Sequence, residues 1–196
     1  MYKFVLKEPD FLPHIGCDVE LSLEQGETLF LTGENGLGKS TLLKKVSEKL
    51  SDSYLLSQSP LDSFYDRRLD QYISAVEKGL GDRMDKEVFA RIWRKFGLDI
   101  KMDRLLSQLS GGERQCVKLA TGLALHSPLL LLDEPSQYLD QEKKAILFGC
   151  LQALNQQGKS LLIVEHDLSW WKKKSLVVPL QIHEKTLTRG EAWTIS

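Results

Sequence analysis

Residues 27–46 read ETLFLTGENGLGKSTLLKKV, and the period of the apolar residues changes halfway along. Leu29, Phe30 and Leu31 form a short unbroken apolar run. Three glycines follow, and then Leu42, Leu43, Val46 and Leu50 recur at helical spacing. This pattern predicts a strand, a tight loop and a helix. The loop fits G-x-x-x-x-G-K-S/T, with Gly33, Glu34, Asn35, Gly36, Leu37, Gly38, Lys39, Ser40 and Thr41 in order. Its glycines let backbone amides turn inward around phosphate oxygens, and a helix start adds its dipole. Lys39 is expected at the β- and γ-phosphates. Ser40 supplies a hydroxyl for magnesium, which takes few protein oxygens and keeps water and phosphate as its other ligands.

Two further apolar runs, LLLLDEP at 129–135 and SLLIVEHD at 160–167, have the length of buried parallel strands. Between them, QEKKAILFGCLQALNQQGKS reads as a helix ending at a glycine, and ERQCVKLATGLAL before Pro128 reads as an amphipathic helix. From Phe64 to Gln108 the pattern is helical and charge-rich. Ala75, Val76, Val88, Ile92 and Phe96 are its apolar positions, and Gly79, Gly81 and Gly97 are its breaks. Strands alternating with helices predict an α/β fold with a parallel sheet and an inserted helical lobe.

The first strand ends in a phosphate loop, and the second ends in two carboxylates. Ligands bind at the C-terminal edge of open α/β sheets, and adjacent carboxylates closing an apolar run are costly unless they face a cation or water. Asp133 fits the magnesium shell. Glu134 suits a general base that activates water for attack on the γ-phosphate. His166 closes the third strand, where its ring could reach the same phosphate.

Composition narrows the partners little. The 196 residues are 42% hydrophobic and 27% charged with a net charge of -1, which predicts no nucleic-acid partner. Cys17, Cys116 and Cys150 are odd in number and lack a C-x-x-C pair, so neither a disulfide framework nor a zinc site is indicated. The N-terminus, MYKFVLKEPDF, has acidic residues where a signal peptide is apolar, and no apolar run approaches the roughly 20 residues that span a bilayer. The KKK at 172–174 is expected to be a solvated turn.

Residues 109–115, LSGGERQ, place two glycines directly before a helix. Together with the phosphate loop, LLLLDEP and His166, they make the chain resemble the ATP-binding cassette (ABC) ATPases from about Gly26 to His166, most closely the short nucleotide-binding subunits of ABC transporters. In that resemblance GENGLGKST is Walker A, LSGGERQ the family signature, LLLLDEP Walker B and His166 the switch histidine. It makes Lys39, Ser40 and Thr41 phosphate and magnesium contacts. It makes Gln58 the Q-loop residue that senses magnesium and the attacking water, and Phe11 the aromatic that stacks on adenine, although Tyr2 and Phe4 lie nearby and a core role is the alternative. It also implies that two cassettes face head to tail, so that Ser110, Gly111, Gly112 and Glu113 of one cover the ATP held by the other.

The sequence departs from the family in two places. Lys39 and Gln58 are 19 positions apart, about half the usual number. The antiparallel β-subdomain is therefore expected to be trimmed, with Gln71 or no equivalent as alternatives to Gln58. The loop after Walker B reads SQYLD, with Gln137 and Tyr138 where the family often has a small residue. The chain is expected to be one ABC domain, with a core of about 1–63 and 116–196 and a helical subdomain of about 64–115, leaving no room for a regulatory domain. As a function, the resemblance implies a magnesium-dependent ATPase subunit on the cytoplasmic side of a transporter, with permease subunits and a second cassette as partners. The alternatives are a soluble ABC ATPase acting on a ribosomal or nucleic-acid assembly, and a binding-only cassette. The latter is disfavoured by the presence of Lys39, Asp133, Glu134 and His166.

Overall fold

The structure is a computed structural model that describes residues 23–34, 36–57, 66–80, 83–166, 171, 178–183 and 186–189. The described residues fall into two compact units. The first holds a sheet built from β1 (Thr28–Thr32), β2 (Ser53–Leu56), β3 (Leu129–Asp133), β4 (Ser160–Val164), β5 (Val178–His183) and β6 (Thr186–Arg189). Among the described residues the strand order is β2-β3-β4-β1-β5-β6, parallel throughout except for the β5–β6 pair. Helix α1 (Lys39–Lys49) follows β1, and β2 begins at Ser53. No hairpin intervenes, as the short spacing after Lys39 predicted.

The register explains why the strands read as unbroken apolar runs. Leu29 pairs with Leu162 and Leu131 with the same Leu162, so one face of the sheet carries Leu29, Leu31, Leu129, Leu131, Leu162 and Val164. These pack with Leu42, Leu43 and Val46 of α1 in one buried cluster. The residues between them point the other way and are buried as well. Phe30, Leu130, Leu132, Leu161 and Ile163 are all nearly inaccessible, and the Phe30 ring lies 5.2 Å from that of Trp171. A strand covered on both faces is apolar along most of its length.

The second unit carries α2 (Leu69–Leu80), α3 (Lys86–Lys95), α4 (Gly111–Leu123) and most of α5 (Gln141–Gln156), with a 3₁₀ turn at Leu106–Gln108. Asp85 caps α3: its Oδ1 accepts from the amides of Glu87 at 3.0 Å and Val88 at 2.9 Å. The core of this unit gathers Leu69, Tyr72, Ile100, Leu106, Leu109 and Val117. Helix α4 departs from the amphipathic expectation, because every residue from Gln115 to Leu123 is buried. Its polar members are accommodated by hydrogen bonds. Thr121 bonds back to the carbonyls of Val117 and Lys118 and meets the Tyr72 hydroxyl at 3.2 Å.

Leu131 is fully buried at the centre of the sheet. Leu131→Ala is expected to lower the unfolding free energy by about 2–5 kcal/mol, read from the midpoint of a urea titration.

Candidate functional site

Sheet order places the ends of three neighbouring strands side by side. β1 leads into the phosphate loop, β3 into Glu134 and β4 into His166, and β4 lies between the other two. Asp133 pairs with Val164, which pairs with Leu31. Asp133 therefore belongs to the face that α1 covers, one residue before the chain leaves the sheet.

The loop itself is shaped by backbone conformations that only glycine adopts easily. Gly36 and Gly38 have φ of +84° and +81°, and Gly38 is the residue from which α1 starts. No side chain caps α1, so its first amides point into the loop with the positive end of the helix dipole behind them. Lys39 is buried, and its ammonium donates to the carbonyls of Gly33 at 2.8 Å and Glu34 at 2.7 Å. Burial pushes its pKa below the ordinary lysine value, while the charges of Glu134 and Asp133 pull it back up. Gly33 and Glu34 follow β1, Leu37 precedes Gly38, and Ser40 and Thr41 are exposed in the first turn of α1. Asn35, Gln58 and Phe11 lie outside the described residues. Gln71, the alternative to Gln58, sits in the first turns of α2, where its side-chain carbonyl accepts from the Arg68 amide.

Asp133 is 6% exposed. Glu134 and His166, predicted from separate strands, are brought into direct contact: His166 Nε2 lies 2.6 Å from Glu134 Oε1. The carboxylate is mostly covered, at 14% side-chain exposure, whereas the imidazole is 44% exposed and open to solvent. The Glu134 amide donates to Val164 O at 3.0 Å, extending the ladder one step past β3. Its φ is +49°, a left-handed backbone uncommon outside glycine. Pro135 follows and disfavours the ordinary helical conformation at the residue before it. Sequence reasoning supplied the carboxylate but not this backbone, whose one signal is the Glu-Pro step.

The signature residues belong to the second unit. Ser110 is the N-cap of α4 and forms a reciprocal capping box: its hydroxyl accepts from the Glu113 amide at 3.1 Å, and Glu113 Oε2 accepts from the Ser110 amide at 2.7 Å. The Ser110 amide is the main cause that holds the Glu113 carboxyl below the usual range, opposed by partial burial and aided by the Ser110 hydroxyl, Arg104 and Lys143. The glycines also answer to a neighbour that sequence reasoning did not pair with them. A Cβ on Gly111 would sit 3.5 Å from the Tyr138 ring, and one on Gly112 would sit 3.1 Å from the Tyr138 carbonyl oxygen.

Comparison with known proteins gives one consistent family. Residues 17–137 match the family model described as ABC transporter. The chain is 31% identical over 196 residues to the thiamine import ATP-binding protein ThiQ of Aliivibrio fischeri, covering 88% of this chain and 84% of that one. It is 29% identical to the ribose import ATP-binding protein RbsA of Caldanaerobacter subterraneus subsp. tengcongensis, over 78% of this chain but 36% of the relative. It likewise spans 45% of the length of a relative from Clostridium tetani. Among solved structures, one described as the ATP binding subunit of an ABC transporter superposes with a TM-score of 0.75 at 20% identity, covering 88% of this chain and 82% of the other. That likeness speaks for the fold.

A group held below its ordinary pKa stabilises the fold above its unfolded value and stops doing so as pH falls through the folded one. The Glu113 contribution is therefore complete at neutral pH and fades below about pH 4.3. Thermal melts from pH 6 to pH 3 are expected to show a smaller acid loss in Glu113→Gln than in wild type. Ser110→Ala is expected to cost about 1 kcal/mol across the range.

Proposed function

Because this chain belongs to the ABC transporter family, we propose that it is the ATP-hydrolysing subunit of a transporter, working as a head-to-tail pair of cassettes. The observation that carries the reading is the cluster at the strand ends: a buried Lys39 against the loop carbonyls, Asp133 beside it in charge, and Glu134 held by His166.

In this reading the amides of Gly36, Leu37, Gly38 and Lys39 bind the β-phosphate, with Asn35 also in the loop. Lys39 exchanges its carbonyl partners for β- and γ-phosphate oxygens, a cation acting in both ground and transition states. Ser40 and Asp133 would hold magnesium. A hydroxyl and a carboxylate suit a hard cation that completes its shell with water and phosphate oxygens. Among the described residues no group of three or more His, Cys, Asp or Glu side chains would cage a metal alone. Magnesium, when bound, neutralises charge on the transferred phosphoryl oxygens. Glu134 accepts the proton of the attacking water, and His166 orients the carboxylate and reaches toward the γ-phosphate. Gln58 senses the same water, and Phe11 stacks on adenine.

Ser110, Gly111, Gly112 and Glu113 act in trans on the ATP of the second cassette. Since the Ser110 and Glu113 side chains close the capping box on each other, receiving a γ-phosphate requires Ser110 to redirect its hydroxyl or share it. Among the described residues no helix is long and apolar enough to cross a membrane; in this reading the membrane passage is formed by permease subunits. The proposal places this chain on their cytoplasmic face, as one domain with a helical subdomain of about 64–115.

Glu134→Gln is expected to retain ATP binding and lose on the order of 10²–10⁴-fold in turnover, whereas Lys39→Ala loses binding and turnover together. Phosphate release and equilibrium nucleotide binding distinguish the two. Full turnover in Glu134→Gln would remove Glu134 from the role of base. Ser110→Arg is expected to leave ATP binding by the isolated subunit nearly unchanged and to abolish ATP-driven dimers in size-exclusion chromatography. Equal loss of both would count against action in trans.

A further inference from the structure

The loop that follows Glu134 is tied to the start of α4 at three points within the second unit. Gln115, 6% exposed, donates from Nε2 to the Pro135 carbonyl at 2.8 Å. The Tyr138 carbonyl oxygen would lie 3.1 Å from a Cβ on Gly112, tighter than ordinary contact, and its ring would meet one on Gly111 at an ordinary 3.5 Å. Tyr138 is 70% exposed and has φ of +63°, a left-handed backbone uncommon outside glycine. A Leu139 to Ser136 hydrogen bond of 3.2 Å closes the turn between these points.

The first of the three ties bears on chemistry. Pro135 is bonded directly to Glu134, whose left-handed backbone aims the carboxylate at His166. On its N-terminal side Glu134 is fixed by its hydrogen bond to Val164 O. On its C-terminal side proline has no N–H to donate, and the group held there is the Pro135 carbonyl, one peptide further on. Gln115 supplies the donor. From this geometry we infer that Gln115 is a positioning residue for Glu134: its carboxamide locks the Glu134–Pro135 segment in the conformation that presents the carboxylate. The role needs a long side chain that donates without carrying charge. Leucine fills the space but withdraws the donor from a buried carbonyl, and an ionised glutamate sets a negative charge against it.

The inference rests on the reading of this chain as an ATPase, and the test separates the two. In Gln115→Leu, ATP affinity by equilibrium binding is expected to stay within about threefold of wild type. KM should be similar, while kcat falls on the order of tenfold or more, as small misplacements of a catalytic group do. In Gln115→Glu, the protonated acid can donate and the ionised one cannot, so its kcat relative to wild type is expected to decline as pH rises. If Gln115→Leu does not fold, the pH profile of Gln115→Glu decides. Wild-type kcat in Gln115→Leu, a flat relative profile in Gln115→Glu, or parallel loss of affinity and turnover overturns the positioning role. A wild-type chain that hydrolyses no ATP overturns the ATPase reading, and this inference with it.

Discussion

The site depends on the burial of opposite charges at the end of a parallel sheet. The Lys39 ammonium is buried and is tolerated because two loop carbonyls and the fields of Asp133 and Glu134 replace the water it loses. That compensation needs β1, β4 and β3 to end level with one another, which their parallel register provides. A slip of one residue in β3 would turn Asp133 to the opposite face of the sheet and away from α1. The apolar runs are thus more than core filler, because their pairing sets where the charges arrive.

Two kinds of helix start occur in the chain, and they differ in who satisfies their amides. Helix α1 begins at a left-handed glycine with no side-chain cap, so its amides remain available to a ligand. Helix α4 begins with a complete capping box between Ser110 and Glu113. The glycines of LSGGERQ answer first to Tyr138, whose carbonyl oxygen would crowd a Cβ at Gly112 to 3.1 Å. An anion receptor built on α4 is therefore one that must compete with its own cap. The competition is a modest one, since a cap of this kind is worth about 1 kcal/mol.

Glu134 concentrates what is unusual here. It holds a left-handed backbone before a proline, at a cost on the order of 1–3 kcal/mol. Neighbours on both sides define it: Val164 O takes its amide, and Gln115 holds the carbonyl one residue on. Its contact with His166 joins the ends of β3 and β4 through side chains where the backbone ladder stops.

The sequence by itself determined β1, β3 and β4, the helices beside them, the α/β class and the residues that close those three strands, but not β5 and β6. Period changes and glycines are local signals, and the length of LLLLDEP and SLLIV suits strands buried on both faces. It also located Lys39, Asp133, Glu134 and His166, because each ends or follows such a run. Tertiary structure alone decided the pairing of Glu134 with His166, which lie 32 positions apart and meet only because β3 and β4 are neighbours. It likewise decided the all-round burial of α4, whose polar residues made it look amphipathic, and the seating of Tyr138 on Gly111 and Gly112. Contacts between residues distant in the chain leave no periodicity to read, since they depend on which elements become neighbours. The left-handed backbone of Glu134 belongs with them: its sequence offers a Glu-Pro step, and only the surrounding hydrogen bonds select the conformation.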